Sequence, residues 1–199
     1  MVFNGKYVES EYTIILGYHQ SKPISNYKIR VGLYFINSKF KWMKLLHGSP
    51  GFGVQLSQSE IIKFLSDSKL NLHLGTIDQD HYPNIHPTWY IYDDSKDVIF
   101  IETSKQSKKT NNLKKNDKIY FCVDDGNPPY KGIRGKGNVR ILSDPDANLP
   151  IAEKIMIKYL GSVDHPMAKT LLESVRNGNS VILEIKPQYY STWDYSRDS

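Results

Sequence analysis

The fold of this chain is decided by residues 70–102, which read LNLHLGTIDQDHYPNIHPTWYIYDDSKDVIFIE. Leucines alternate with polar residues from Leu70 to Leu74, which is the two-residue period of a half-buried strand. Turn residues follow at 78–81, and residues 83–92 then read as the returning strand. A second polar turn leads into a third strand over 98–102. The pattern predicts a meander of antiparallel strands.

The chain around this meander supplies further strands and several helices. Ser57 and Glu60 form a capping box at the start of a helix with an apolar face. Many antiparallel strands favour a barrel, because closure removes exposed sheet edges. We therefore predict a mainly β fold with flanking helices, an antiparallel barrel. The remaining predicted elements are a polar helix over 107–116, strands over 118–124 and 130–142, helices near 149–160 and 166–177, and a last strand over 180–185.

Charge divides the 199 residues into two unequal parts. The net charge of +5 lies entirely in residues 1–50, which also show no clean period, and Gly48 to Gly53 read as a linker. We predict that residues 1–55 are an extension outside the functional domain, either a genuine arm or the product of a start site that properly lies at Met43. Residues 56–199 then form the barrel domain.

Several classes of protein are excluded or disfavoured by composition. The one cysteine, Cys122, lies in an apolar strand pattern, so we expect a small buried side chain rather than a nucleophile, and a reducing cytoplasmic location. No apolar run approaches membrane-spanning length. Because residues 51–199 are electrically neutral, overall charge gives no support to nucleic-acid binding.

The segment from Thr103 to Leu113 joins a strand to a helix and is the first candidate site. Free backbone N–H groups at a helix start favour an anion. This segment also contains three hydroxyl side chains and two adjacent lysines: Thr103, Ser104, Ser107, Lys108 and Lys109. These residues predict a phosphate site. The alternative is an ordinary Ser107 N-cap with solvated lysines.

A second candidate segment is His86-Pro87-Thr88-Trp89. A proline inside a strand removes one ladder donor and indicates an edge, a bulge or a ligand-facing stretch. Trp89 is either a flat wall for a ring system or a core residue. The histidines fit no standard zinc spacing, so no metal site is predicted. Three glycines inside the strand over 130–142, at 132, 135 and 137, indicate a bulge or a close backbone approach.

Taken in order, these segments resemble the pyridoxamine 5'-phosphate oxidase-like family of split β-barrel flavin-binding proteins. The resemblance is closest to the subgroup that uses either FMN or the related deazaflavin coenzyme. It covers roughly residues 57–195. The matching stretches are Leu74 to Asp78, Pro83 to Tyr90, Ile101 to Ser104 with Ser107 to Lys109 and Asn112-Leu113, Gly132 to Gly137, and Ser191 to Tyr195.

The resemblance implies a split β-barrel of the FMN-binding type and a homodimer with two cofactor sites at the interface. The phosphate motif of the family falls on Thr103, Ser104, Ser107, Lys108 and Lys109, and its ring-flanking strand falls on His86 to Trp89. Asn112, Arg134 and Trp193 are further candidate cofactor contacts, and Tyr130 is a possible substrate contact. Two departures stand out: Lys108 replaces an arginine common among relatives, and residues 191–199 lack the substrate-gripping segment of the vitamin B6 oxidase.

The resemblance also implies a function. We expect an FMN- or deazaflavin-dependent oxidoreductase that transfers hydride to a small-molecule substrate, with no acid–base residue identified. The alternative is a non-catalytic flavin or haem carrier on the same fold. An oligonucleotide-binding barrel is the weakest alternative, since aromatic residues and lysines do not alternate along one strand face.

Overall fold

The computed structural model describes residues 43–197. They form one eight-stranded sheet with four helices. The elements are β1 Leu45–His47, α1 Gln58–Asp67, β2 Leu72–Ile77, β3 Pro83–Thr88, β4 Ile91–Asp93, β5 Val98–Ser104, α2 Lys108–Leu113, β6 Lys118–Asp125, β7 Lys131–Leu142, α3 Pro145–Leu160, α4 Pro166–Arg176 and β8 Ser180–Asp194.

The strands follow the order β3-β2-β6-β7-β8-β5-β4, with β1 added in parallel beside β8. All the other pairings are antiparallel. The sheet curves around one apolar core but does not close between β3 and the β4–β5 hairpin, so the barrel is split. The predicted fold class, a mainly β split barrel with flanking helices, is confirmed.

Two apolar clusters stabilise this arrangement. The first fills the barrel and includes Leu74, Phe121, Ile133 and Tyr190, all nearly or fully buried. The second lies between one face of β5 and β8 and the helices α3 and α4. Burying such side chains contributes about 1.5–3 kcal/mol each relative to leaving them in water. The helices therefore cover a sheet surface that would otherwise be exposed.

The longest strand, β8, ties the sheet together. It pairs with β7 over 182–194, with β5 over 180–185 and with β1 over 190–192. The sequence predicted only its first part, 180–185. The register with β7 shifts between Lys136 and Gly137, where Gln188 of β8 has no partner, so a bulge, one of the two features indicated by the glycines, is present.

Two other boundaries differ from expectation. The strand predicted over 83–92 is interrupted after Thr88, and β4 begins at Ile91. Helix α3 starts at Pro145, four residues earlier than expected, because the Asp144 side chain caps it and Pro145 fits the first turn.

Part of the predicted extension joins the sheet. Leu45 to His47 form β1, and the backbone N–H of Tyr190 donates to the carbonyl of Lys44 at 2.9 Å. Within the predicted linker, the Gly48 N–H donates to the Thr192 carbonyl at 2.7 Å. Residues 1–42 lie outside the described residues, so the proposal that they are dispensable stays a prediction.

Candidate cofactor site

The loop before α2 is held by its own hydroxyl groups. Ser107 is the N-cap of α2, and its Oγ accepts from the Thr110 N–H at 3.3 Å and lies 2.8 Å from Thr110 Oγ1. Thr103 Oγ1 lies 3.4 Å from Ser107 Oγ, and Ser104 Oγ accepts from the Gln106 N–H at 3.3 Å. These hydroxyls therefore shape the turn, as an ordinary N-cap would.

The two lysines of α2 occupy different environments. Lys108 is exposed, and its ammonium lies 3.2 Å from an Asp78 carboxylate oxygen in the β2–β3 turn. The backbone N–H of Tyr82 lowers the pKa of Asp78, and Lys108 acts in the same direction. Lys109 is half-buried, which lowers its pKa, and it forms no ion pair with any residue in 43–197. The charge of Lys109 is thus less compensated by a neighbouring carboxylate than the charge of Lys108.

A pocket of about 320 Å³ opens beside Lys109. Its walls come from β3, β5, α2 and α3, so it lies where the sheet is split. Ile155 and Met156 of α3 form an apolar wall, and both are buried. The lining residues are Asn71, Pro87, Thr88, Trp89, Glu102, Lys109, Ile155 and Met156.

Four lining residues, Asn71, Ile155, Met156 and Glu102, were not among the predicted site residues, and the ionisable one is Glu102. Burial raises the pKa of its carboxyl, while the Ser180 hydroxyl and the charge of Lys109 act in the opposite direction. Glu102 in turn favours the charged form of Lys109. A partly buried acid and a half-buried base therefore share one pocket, which is a common property of functional sites.

The inward face of β3 carries unsatisfied polar atoms. His86 Nε2 and Asn84 Oδ1 are buried and have no hydrogen-bond partner in the described part of the chain. The two side chains point to the same side of β3, since strand residues two apart share a face. Burial lowers the pKa of His86, and the charges of Lys109 and then Lys108 lower it further. His86 is therefore neutral near pH 7.

Neighbouring side chains fix this part of the site. Thr88 Oγ1 donates to the Leu72 carbonyl at 2.9 Å, and Asn112 Nδ2 donates to Thr76 Oγ1 at 3.0 Å. The ring of Trp89 is stacked on Tyr159 of α3, with centroids 5.0 Å apart and planes 8° apart. Trp89 therefore packs against Tyr159 as a partly buried residue and also lines the pocket.

Arg134 and Trp193 form a separate cluster. The Arg134 guanidinium lies 5.9 Å from the Trp193 ring and donates to the Gly48 carbonyl at 3.2 Å. Trp193 also covers Gly132, where a side chain would collide with the indole. Neither residue lines the pocket beside Lys109, and Tyr130 does not line it either. One copy of the chain does not bring the two groups of predicted residues together.

Thiol and metal chemistry receive no support in the described residues. Burial raises the pKa of Cys122 to about 11, and the nearby Asp124 carboxylate adds to the effect, so the thiol is a poor nucleophile at neutral pH. Within 43–197 no cluster of histidine, cysteine and acidic residues is arranged to hold a metal ion. None of the helices in this range is long and apolar enough to cross a membrane.

The open sheet and the pocket at its split define a split β-barrel protein with a candidate ligand site at the opening. The chain belongs to the pyridoxamine 5'-phosphate oxidase family, whose model matches residues 58–194. No curated protein matches the chain.

Solved structures give the same fold. A conserved hypothetical protein from Mycobacterium tuberculosis, Rv2991, is 25% identical, with a TM-score of 0.62 over 73% of this chain and 88% of that one. A protein described as an F420 reductase is also 25% identical, with a TM-score of 0.52 over 65% of this chain and 94% of that one. HutZ, the haem storage protein of Vibrio cholerae, is 12% identical, with a TM-score of 0.53 over 69% and 93%. The last of these supports the fold alone.

Proposed function

We propose that this chain is an oxidoreductase that binds FMN or the related deazaflavin coenzyme and transfers hydride to a small-molecule substrate. The observation that carries the proposal is the pocket in the split of the sheet, where Lys109, Glu102 and Trp89 meet beside unpartnered atoms of β3. Family membership and the 25% identity to a protein described as an F420 reductase support it.

The residues present fit such a cofactor. A buried polar atom without a partner is costly, and His86 Nε2 and Asn84 Oδ1 are two of them on one face. Lys108 and Lys109 supply cationic groups for a phosphate, and Thr103, Ser104 and Ser107 supply hydroxyls nearby. Trp89 and Pro87 offer flat apolar surface at the pocket. When bound, the cofactor supplies the hydride chemistry, and the protein supplies binding, orientation and electrostatics.

The protein groups divide the remaining tasks. Lys109 holds a positive charge in a half-buried position, where a charged contact is stronger than at the surface. Glu102 has a raised pKa and can either accept or donate a hydrogen bond to a ligand in the same pocket. The α3 wall of Ile155 and Met156 excludes water from that side.

We further propose that the chain works as a homodimer. Family members are often dimers. Arg134 and Trp193 stand apart from the pocket within one copy, so a second copy is needed if they contact the same cofactor. The outer face of β3, β2 and β6 exposes Ile85 at 69% and Tyr120 at 56%, with Gly75 between them in register. Exposed apolar groups that lie together mark an interaction surface.

A haem or flavin carrier is the second candidate, because one observation favours it. The unpartnered Nε2 of His86 is the atom that a haem iron would need as a protein ligand. Titration of purified protein with FMN, the deazaflavin coenzyme and haem, followed by absorption spectra, separates the candidates. Binding of FMN or the deazaflavin coenzyme with substrate-dependent bleaching supports the oxidoreductase. Binding without any turnover supports a carrier. If the protein binds neither FMN nor the deazaflavin coenzyme, the main proposal is contradicted.

A further inference from the structure

The side-chain charges around the candidate phosphate site do not compensate the negative charge of a bound phosphate group. Lys108 and Lys109 of α2 contribute two positive charges. Asp78 of the β2–β3 turn lies against Lys108, and Glu102 of β5 acts on Lys109. A phosphate monoester carries about −1.5 to −2 charges at pH 7. With both carboxylates ionised, a bound phosphate would leave this part of the protein clearly negative.

One group at the site is placed to correct this imbalance. His86 lies close enough to Lys108 and Lys109 for both charges to act on its imidazole. Its Nε2 is buried and has no partner in residues 43–197. Burial is the larger cause of the lowered pKa of His86, and the two lysines that lower it further are the groups that a phosphate would neutralise. A phosphate in that position therefore removes the repulsion that opposes protonation and offers an acceptor to Nε2.

Resting on the proposed function, we propose that His86 is the third cationic contact of the phosphate site and takes up a proton when the phosphate-bearing cofactor binds. The proton passes from solvent to the imidazole, and the imidazolium then donates from Nε2 to a phosphate oxygen. This assigns His86 to the phosphate end of the cofactor rather than to its ring. It also makes the protein a better binder of phosphate esters as the pH falls.

The direction of the pH effect follows from linkage. In the free protein His86 has a lowered pKa, so it is neutral above pH 7. In the complex its pKa is raised, so between the two values the complex holds more protons than the free protein. Affinity therefore rises as the pH falls, by at most about tenfold per pH unit for one proton. Above roughly pH 7 the phosphate itself is already a dianion, because its second pKa is about 6, so its own titration contributes little to the change in affinity there.

Calorimetric titration measures the proton directly. The preferred cofactor, FMN or the deazaflavin coenzyme as found in the spectral titration, is titrated into the cofactor-free protein at pH 7.5 in two buffers of low and high ionisation enthalpy. The matched variants are His86→Gln, which keeps an N–H near the position of Nε2 but cannot titrate, and His165→Gln, which replaces a histidine at the start of α4, away from the pocket and from the outer face of β3, β2 and β6. Riboflavin, which lacks the phosphate, is the control ligand for FMN.

We expect uptake of about half to one proton per site in the unaltered protein and in His165→Gln. His86→Gln should lose that uptake and the rise in affinity between pH 8.5 and 7.0 while keeping its melting temperature. Cofactor binding with no proton uptake, or with uptake that persists in His86→Gln and disappears in Glu102→Gln, overturns this inference and leaves the proposed function intact. If neither cofactor binds, both this inference and the proposed function are overturned.

Discussion

At the scale of single residues, Lys108 and Lys109 are adjacent in sequence but differ in their surroundings. Lys108 is exposed and already paired with Asp78, whereas Lys109 is half-buried and unpaired within 43–197. Lys109→Ala should therefore weaken cofactor binding by about 1.5–3 kcal/mol, the usual range for a hydrogen bond to a charged group. Lys108→Ala should have a smaller effect. Fluorescence titration of both variants measures the difference.

Lys114→Ala is the matched control, because Lys114 follows α2, is absent from the pocket lining, and its ammonium donates to Asn111 Oδ1 at 3.1 Å. It should bind the cofactor like the unaltered protein. Equal losses for all three variants would mean that the effect is general electrostatics and not a site at Lys109.

Some of these residues were predictable and others were not. The capping box of Ser57 and Glu60 is local, and both of its hydrogen bonds are present. Pro87 indicated an edge, a bulge or a ligand-facing stretch, and β3 is one end of the sheet. Glu102 was missed because its raised pKa depends on burial in the folded protein and on contacts with Ser180 and Lys109. Ser180 is far away along the chain, so no local sequence pattern indicates that contact.

At the scale of elements, the close contact between β7, β6 and β8 depends on glycine. A Cβ added to Gly135 would lie 2.5 Å from the backbone oxygen of Tyr189 and 2.8 Å from the Phe121 ring. Backbone cannot move aside cheaply, so Gly135→Ala should destabilise the fold by about 1–3 kcal/mol, as overpacked cores do. Urea denaturation of the variant checks this.

The control for this change is Gly126→Ala in the β6–β7 loop, where an added Cβ meets nothing within 4 Å. That variant should unfold at the same urea concentration as the unaltered protein or a slightly higher one. If Gly135→Ala matched it, the sheet would be more adaptable at β7 than the contacts indicate.

Element boundaries show where local pattern fails. Trp89 and Tyr90 favour a strand by propensity, yet the strand breaks there, because Trp89 stacks on Tyr159 of α3 about seventy positions later. The second half of β8 has a mixed sequence without a clean period, and pairing with β7 and β1 is what keeps it extended. Both outcomes are decided by tertiary contacts, which a single sequence does not display.

At the scale of the whole molecule, the outer face of β3, β2 and β6 is expected to bind a second copy. Ile85→Asp places a charge in the middle of this face and should convert the dimer to a monomer with much weaker cofactor binding. Light scattering and cofactor titration measure both effects. Ile157→Asp is the control, since Ile157 is 51% exposed but lies on α3. A stable monomer of the unaltered protein with full cofactor affinity would rule out the dimer proposal.

The predicted extension gives a second test at this scale. A chain that begins at Met43 keeps β1 and the Tyr190 to Lys44 hydrogen bond, and it should retain the melting temperature and cofactor affinity of the full chain. A chain that begins at Leu56 lacks β1 and should melt at a lower temperature. If the Met43 chain is insoluble or melts well below the full chain, residues 1–42 contribute to the fold and the domain prediction is wrong.

The length and position of β8 have a consequence for how the protein is made. Its partners β5 and β1 precede it by roughly 80 and 145 positions, so these pairings join distant parts of the chain. Contacts of such high sequence separation slow folding, because the intervening chain must be ordered first. During synthesis, β5 and β7 emerge from the ribosome with an unpaired edge and wait for β8. We therefore expect nascent chains of this protein to expose apolar strands until β8 has been translated, and to be bound by chaperones during that interval.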